Sequence, residues 1–221
     1  MSSGNSTGAA DFLLAPEVQK LLKPVLAEPN KSYSIAALAK LTKLEPDDVQ
    51  RTQEQLLHCG ILRQHPAEAD GEAGAVSANT GFVFYPELRR IALKSFAAAE
   101  PLRAMLRSKF KDSVVRAVLL GEDAAGVAEV LIVHGAVVPD AAAMSAAFQK
   151  LRGTLGRHFK VHVMGQAASA AYATRHHLAE RLASGDALEI VAEGDTKAKR
   201  QTGRGGLLQA AKAQLAAMAR R

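Results

Sequence analysis

The stretch Ser34–Leu62, SIAALAKLTKLEPDDVQRTQEQLLHCGIL, constrains the fold more than any other part of the chain. Ser34 suits the N-cap of a short helix from Ile35 to Leu41, because its hydroxyl can accept from an unpaired first-turn N–H. Thr42-Lys43-Leu44 is a tight connection. Pro46-Asp47-Asp48 then opens a second helix, with carboxylates at its positive end and with Val49, Leu56 and Leu57 as its apolar positions. Gly60 can stop that helix in the left-handed conformation, and ILRQH starts a strand.

The flanks extend the pattern. Val18, Leu21, Leu22, Val25 and Leu26 fall on one helical face after Pro16, and Pro24 threatens a kink in that helix. After ILRQH, residues 67–80 are small, polar and Gly-rich, and FVFYP reads as the strand that returns. Strand, tip and strand make a wing, and ELRRIALKSF resumes helical spacing. Cys59, in the apolar run LLHCGIL, is expected as a buried structural thiol.

From Ala36 to Leu62 this order resembles the winged helix-turn-helix of ArsR- and MarR-type bacterial regulators. The resemblance implies that the second helix lies in the major groove of duplex DNA. Its solvent-facing residues would be Asp48, Gln50, Arg51, Thr52 and Gln55. Arg and Gln can contact guanine and adenine edges with two hydrogen bonds each. The same residues also suit the solvated face of a packed helix. Asp47 and Asp48 would approach phosphates, and the wing carries Glu68, Asp70 and Glu72 without a Lys or Arg.

Beyond the wing, helices and strands alternate. AAAEPLRAMLRSKF spaces Leu102, Met105, Leu106 and Phe110 on one face. SVVRAVLL and VAEVLIV read as buried strands around the loop GEDAAG. Pro139 to Leu155 is helical and ends at Gly156. FKVHVM is a strand, Tyr172 to Leu182 a helix and ALEIVA a last strand. This predicts an α/β domain with a partly mixed sheet.

The stretches VVRAVLLG, VAEVLIV and LRGTLGRHFKVHVM, followed by a helix and LASGDALEIVAEGD, resemble the small nucleotidyltransferase domain fused behind winged helices in some bacterial regulators. A working domain of that type has a Gly-Ser turn after the first strand and an Asp-x-Asp pair on the second, whose carboxylates hold Mg²⁺ against a triphosphate. Here the turn is Gly121-Glu122, the Asp-x-Asp positions are Val127 and Glu129, and a third acid would fall near His162. The resemblance therefore implies a catalytically degenerate domain with no catalytic residue, metal ligand set or cofactor, serving as sensor or interaction platform. Glu122 and Asp123 could replace the metal pair, although loop acids are usually solvated. His176 and His177 point about 100° apart on a helix and cannot share a zinc.

Charge is uneven. The formal net charge is +6, but Lys197, Lys199, Arg200, Arg204, Lys212, Arg220 and Arg221 follow Asp195 with no acid among them, so residues 1–195 net to −1. That tail would carry the non-specific attraction to phosphates, with Lys197, Lys199, Arg200 and Arg204 as candidate DNA contacts. Its last part, LLQAAKAQLAAMARR, has an apolar stripe of Leu207, Leu208, Ala211, Leu215 and Met218. A helix with that stripe can dock on the body, pair with its counterpart in a dimer or lie along DNA.

The expected organisation is α+β overall: a flexible tail at 1–14, a winged helix-turn-helix at 15–96, a nucleotidyltransferase-like α/β domain at 97–195, and a basic linker with a C-terminal helix at 196–221. The expected role is a cytoplasmic, homodimeric transcriptional regulator that binds double-stranded DNA, with the second domain open to a protein partner. The single cysteine and the lack of a signal peptide or an apolar run of about 18 residues fit that setting and leave no role for a membrane. The alternatives are an active nucleotidyltransferase that modifies a protein or small molecule, and a protein-interaction module that does not bind DNA.

Overall fold

The computed structural model describes residues 8–66, 74–123, 125–166, 168–169 and 177–200. They form a mixed α and β structure with a two-stranded and a four-stranded sheet. No helix among them is long and apolar enough to cross a membrane.

Helix α1 (Pro16–Ala27) runs through Pro24 and buries Val18, Leu21, Leu22, Val25 and Leu26. Helix α2 (Ile35–Thr42) starts at Ser34, whose hydroxyl accepts from the Ala37 N–H at 3.2 Å. It ends at Lys43, a left-handed residue with φ 57°. Thr42 Oγ1 braces this turn by donating to Leu38 O and accepting from Leu44 N–H. Helix α3 (Pro46–His58) stops in a Schellman arrangement, in which the Gly60 N–H donates to Leu57 O and the Ile61 N–H to Leu56 O. Gly60 has φ 74°, where a side chain would be strained.

Strand β1 (Leu62–Gln64) pairs antiparallel with β2 (Val76–Ala78), in the register Leu62↔Ala78. The returning strand is therefore Val76–Ala78 and not FVFYP, which corrects the sequence reading. Val76 and Ala78 are small enough to be buried against the helices, whereas Val83 is 75% and Phe84 62% exposed. Phe82–Phe84 form the turn into α4 (Tyr85–Lys94), and Pro86 fits that helix's first turn. Helices α1 to α4 and the wing strands share one core, which includes Leu38, Val49, Leu56, Leu62 and Leu88.

Helix α5 (Ala99–Lys109) leads to the second sheet. Strands β3 (Val114–Glu122), β4 (Ala128–His134), β5 (Phe159–Gly165) and β6 (Leu188–Val191) lie in the order β5-β4-β3-β6. β3 is antiparallel to β4 and β6. β4 and β5 are parallel, joined by the crossover helix α6 (Ala141–Leu155). Helices α5 and α6 cover one face, with Leu102, Leu106, Met144 and Phe148 packed against Val130 and Ile132. The other face gathers Val115, Val118, Leu120, Leu131 and Val133, with Leu182 of helix α7 (His177–Ala183) against them. The expected helix from Tyr172 is described only from His177 onward, so His176 and residues 172–175 lie outside the described residues, as do the wing residues Glu68, Asp70 and Glu72.

Candidate nucleic-acid interface and the charged junction behind it

Val49, Thr52, Gln53 and Leu56 follow each other at helical spacing and form the buried face of α3. Thr52 is only 7% exposed, which corrects its expected place among the solvent-facing residues: it stands three positions after Val49 and so shares the inner stripe. Gln50, Arg51 and Gln55 are exposed, and Asp48 is half-buried. Arg51 pairs with Asp48 at 3.0 Å, with 77% of the arginine side chain exposed. Gln50 donates to Glu54 Oε1 at 2.9 Å. Exposed pairs of this kind are worth about 0.3–0.5 kcal/mol, little enough for either side chain to leave its partner for a base edge.

Glu54 and His58 belong to the same exposed face. Neither is among the residues expected there from the sequence, although the steps from Gln50 to Glu54 and from Arg51 to His58 are whole helical turns. Around α3, Lys40 on α2, Lys43 in the turn and Arg63 on β1 are exposed. Residues 34–66 balance four basic side chains against the four carboxylates of Glu45, Asp47, Asp48 and Glu54. Cys59 is exposed, which corrects the expected buried thiol. The helix ends there, and Leu56 takes the inward place one turn earlier.

Behind α3, α4 meets the four-stranded sheet through charge. Glu122, at the end of β3, lies between Arg89 of α4 and Arg157 of the turn before β5. Arg89 Nε is 2.7 Å from Glu122 Oε2, and Arg157 Nη1 pairs with Oε1. Arg157 is 1% exposed, and its Nε and Nη2 have no acceptor among the described residues. Burial, and to a smaller degree the charge of Arg89, pushes Arg157 down to about 10. Glu122 is thus not the solvated loop acid expected. Asp123 accepts from the N–H groups of Ala125 and Val127 and closes the turn. Arg90 meets Asp186, and Lys94 donates to Gly185 O, on the same side of the junction.

Glu129 projects from β4 onto the sheet face opposite α5 and α6. His162 Nε2 lies 2.7 Å from its Oε1 and must donate there, since a carboxylate only accepts. Lys160 Nζ is 3.1 Å from the same oxygen, and Arg181 Nη2 is 3.5 Å from Oε2. Burial raises the Glu129 pKa, but the hydrogen bonds and charges of His162 and Lys160 outweigh it and hold the carboxyl below its ordinary value. The parallel pairing of β4 and β5 brings Glu129 and His162 together. The side chains facing Glu129 there are those of Lys160, His162 and Arg181 and not further acids, and no group of three or more His, Cys, Asp and Glu among the described residues could hold a metal.

Of the basic tail residues, Lys197, Lys199 and Arg200 are exposed on the second domain. Arg200 pairs with Glu193. Thr196 Oγ1 donates to Val114 O at 2.6 Å, and Lys199 O accepts from the Ala136 N–H at 2.9 Å. The first part of the expected basic linker is therefore seated on the sheet. Arg204 lies outside the described residues. No known family matches the chain, and neither a curated protein nor a solved structure matches it.

Proposed function

We propose that the chain is a DNA-binding regulator that reads duplex DNA with α3 and works as a homodimer in the cytoplasm. The observation that carries this reading is the exposed stripe of Gln50, Arg51 and Gln55, held on a helix that α1, α2 and the wing strands brace from behind. Lys40, Lys43 and Arg63 surround the stripe where phosphates would pass. A second subunit supplies the second half-site, since one recognition helix makes few base contacts.

The balanced charge of residues 34–66 limits non-specific attraction. Neutralising three phosphates per winged helix gives a log–log salt slope of about −3, or about −5 for a dimer. A mobility-shift titration on random duplex at two salt concentrations tests this. Retention that weakens along such a slope supports the reading, and no retention even at low salt overturns it.

The second domain acts in this reading as a sensor or interaction platform and not as an enzyme. Support comes from Glu129, whose oxygens already face Lys160, His162 and Arg181, and from Glu122, which is engaged by two arginines. A specific observation favours one further reading: Glu45, Asp47, Asp48 and Glu54 make the α3 surface suited to a basic protein partner. Absence of any DNA retention would promote that reading.

A further inference from the structure

Among the described residues, nothing pairs with the outer edge of the second sheet. β5 is an edge strand, and between it and α6 runs an apolar groove of about 510 Å³ lined by Val138, Met144, Phe148, Phe159, Val161 and Val163. At its mouth Val137 is 55%, Val138 66% and Val163 43% exposed. Clustered apolar exposure beside an unpaired strand edge is a surface that proteins ordinarily cover.

The chain itself is anchored close to that mouth. Ala198 packs on the sheet face opposite α6, and the Lys199 carbonyl then accepts from Ala136, two residues before the groove residue Val138 on the segment that leads into α6. The same carbonyl occupies the place where a side chain at position 135 would stand, so the position requires Gly135. Residues 201–221 start from this anchored point. QTGRGG, at 201–206, can span about 20 Å. Ala136 is only five residues from Ala141, so about 18 Å at most separates the anchor from the start of the α6 wall.

Then comes the stripe of Leu207, Leu208, Ala211, Leu215 and Met218. In a helix the span from 207 to 218 is about 16 Å. The α6 wall of the groove, from Ala141 to Arg152, has the same number of helical steps. We propose that Leu207–Met218 docks as an amphipathic helix in the groove between α6 and β5 of its own chain. The docked helix closes the sheet edge and buries the valine cluster.

The test uses the full-length chain with Cys59→Ser. Ser145→Cys, on the exposed rim of the groove, is combined either with Ala211→Cys on the stripe or with Ala213→Cys on the far side of the same helix. A disulfide needs its Cα atoms within about 7 Å, so mild oxidation should cross-link the first pair within one chain at least about tenfold faster than the second. Equal rates, no cross-link in either pair, or cross-links only between chains overturn the proposal, and the last result assigns the groove to a second copy. Separately, Leu215→Glu in the full-length chain should raise amide exchange in β5 by about tenfold while leaving α3 unchanged. Unaltered exchange in β5 also overturns it.

Discussion

Glu122→Gln removes the one negative charge between Arg89 and Arg157 and changes almost no volume. Arg89 keeps 24% of its side chain exposed and can turn toward water, whereas Arg157, at 1%, cannot. With its pKa near 10, Arg157 is still charged at neutral pH, so the substitution leaves a buried cation unpaired. Breaking a buried pair from one side costs about 3–5 kcal/mol, a large share of the 5–15 kcal/mol typical of a folded protein. The chain has no Trp, so urea unfolding is best followed by far-ultraviolet circular dichroism. Glu122→Gln should shift the midpoint sharply downward. Adding Arg157→Met removes the stranded charge, and the double variant should recover much of the loss. A Glu122→Gln protein within about 1 kcal/mol of the parent would mean the pair acts like an exposed one. A double variant no better than the single would refute the assignment of the cost to Arg157.

Other outcomes follow from single residues. Glu129 is held below its ordinary value of 4.5, so its folded form binds fewer protons than the unfolded chain. That contribution is fully present above the unfolded value and is lost as pH falls through the folded one, so the stability gap between parent and Glu129→Gln should be wide near pH 7 and close near pH 3; urea titrations at both measure it, and a constant gap contradicts it. Lys43→Gly relieves a left-handed lysine and should raise stability by about 1 kcal/mol. In the same variant the salt slope of DNA binding should become shallower by about 1.8 for the dimer, because one phosphate contact is lost in each subunit. Incubation with Mg²⁺ and labelled nucleoside triphosphates should leave no label on the protein or a co-purified partner, and labelling that Glu129→Gln abolishes would restore the enzyme reading.

The local signals that carried over were those in which one residue type answers one backbone demand. Ser34 caps α2, Gly60 and Gly156 close helices in the left-handed region, and Val130 and Ile132 lie inside a buried strand. Signals read from composition failed where packing decided. FVF carries more strand-forming aromatics than Val76-Ser77-Ala78, but the latter three are the buried ones while Val83 and Phe84 face solvent. Thr52 looked exposed because it is polar, although its distance from Val49 sets it inward. Cys59 looked buried because its neighbours are apolar, although the helix has ended there. The pairing of Glu122 with Arg89 and Arg157 was not legible at all, since 33 and 35 residues separate the partners and only the packing of α4 on the sheet joins them.

The proposed role of α3 is to read base sequence. Selection of binding sites from random duplexes with the purified full-length chain, repeated with Gln50→Ala and Arg51→Ala, tests it most directly. The parent should enrich a defined site, and each substitution should weaken binding to it by about 1–3 kcal/mol while binding to random duplex changes much less. Enrichment of the same site by the parent and both variants, with equal affinity, would contradict the assignment of α3, and no enrichment by the parent would contradict sequence-specific DNA binding itself.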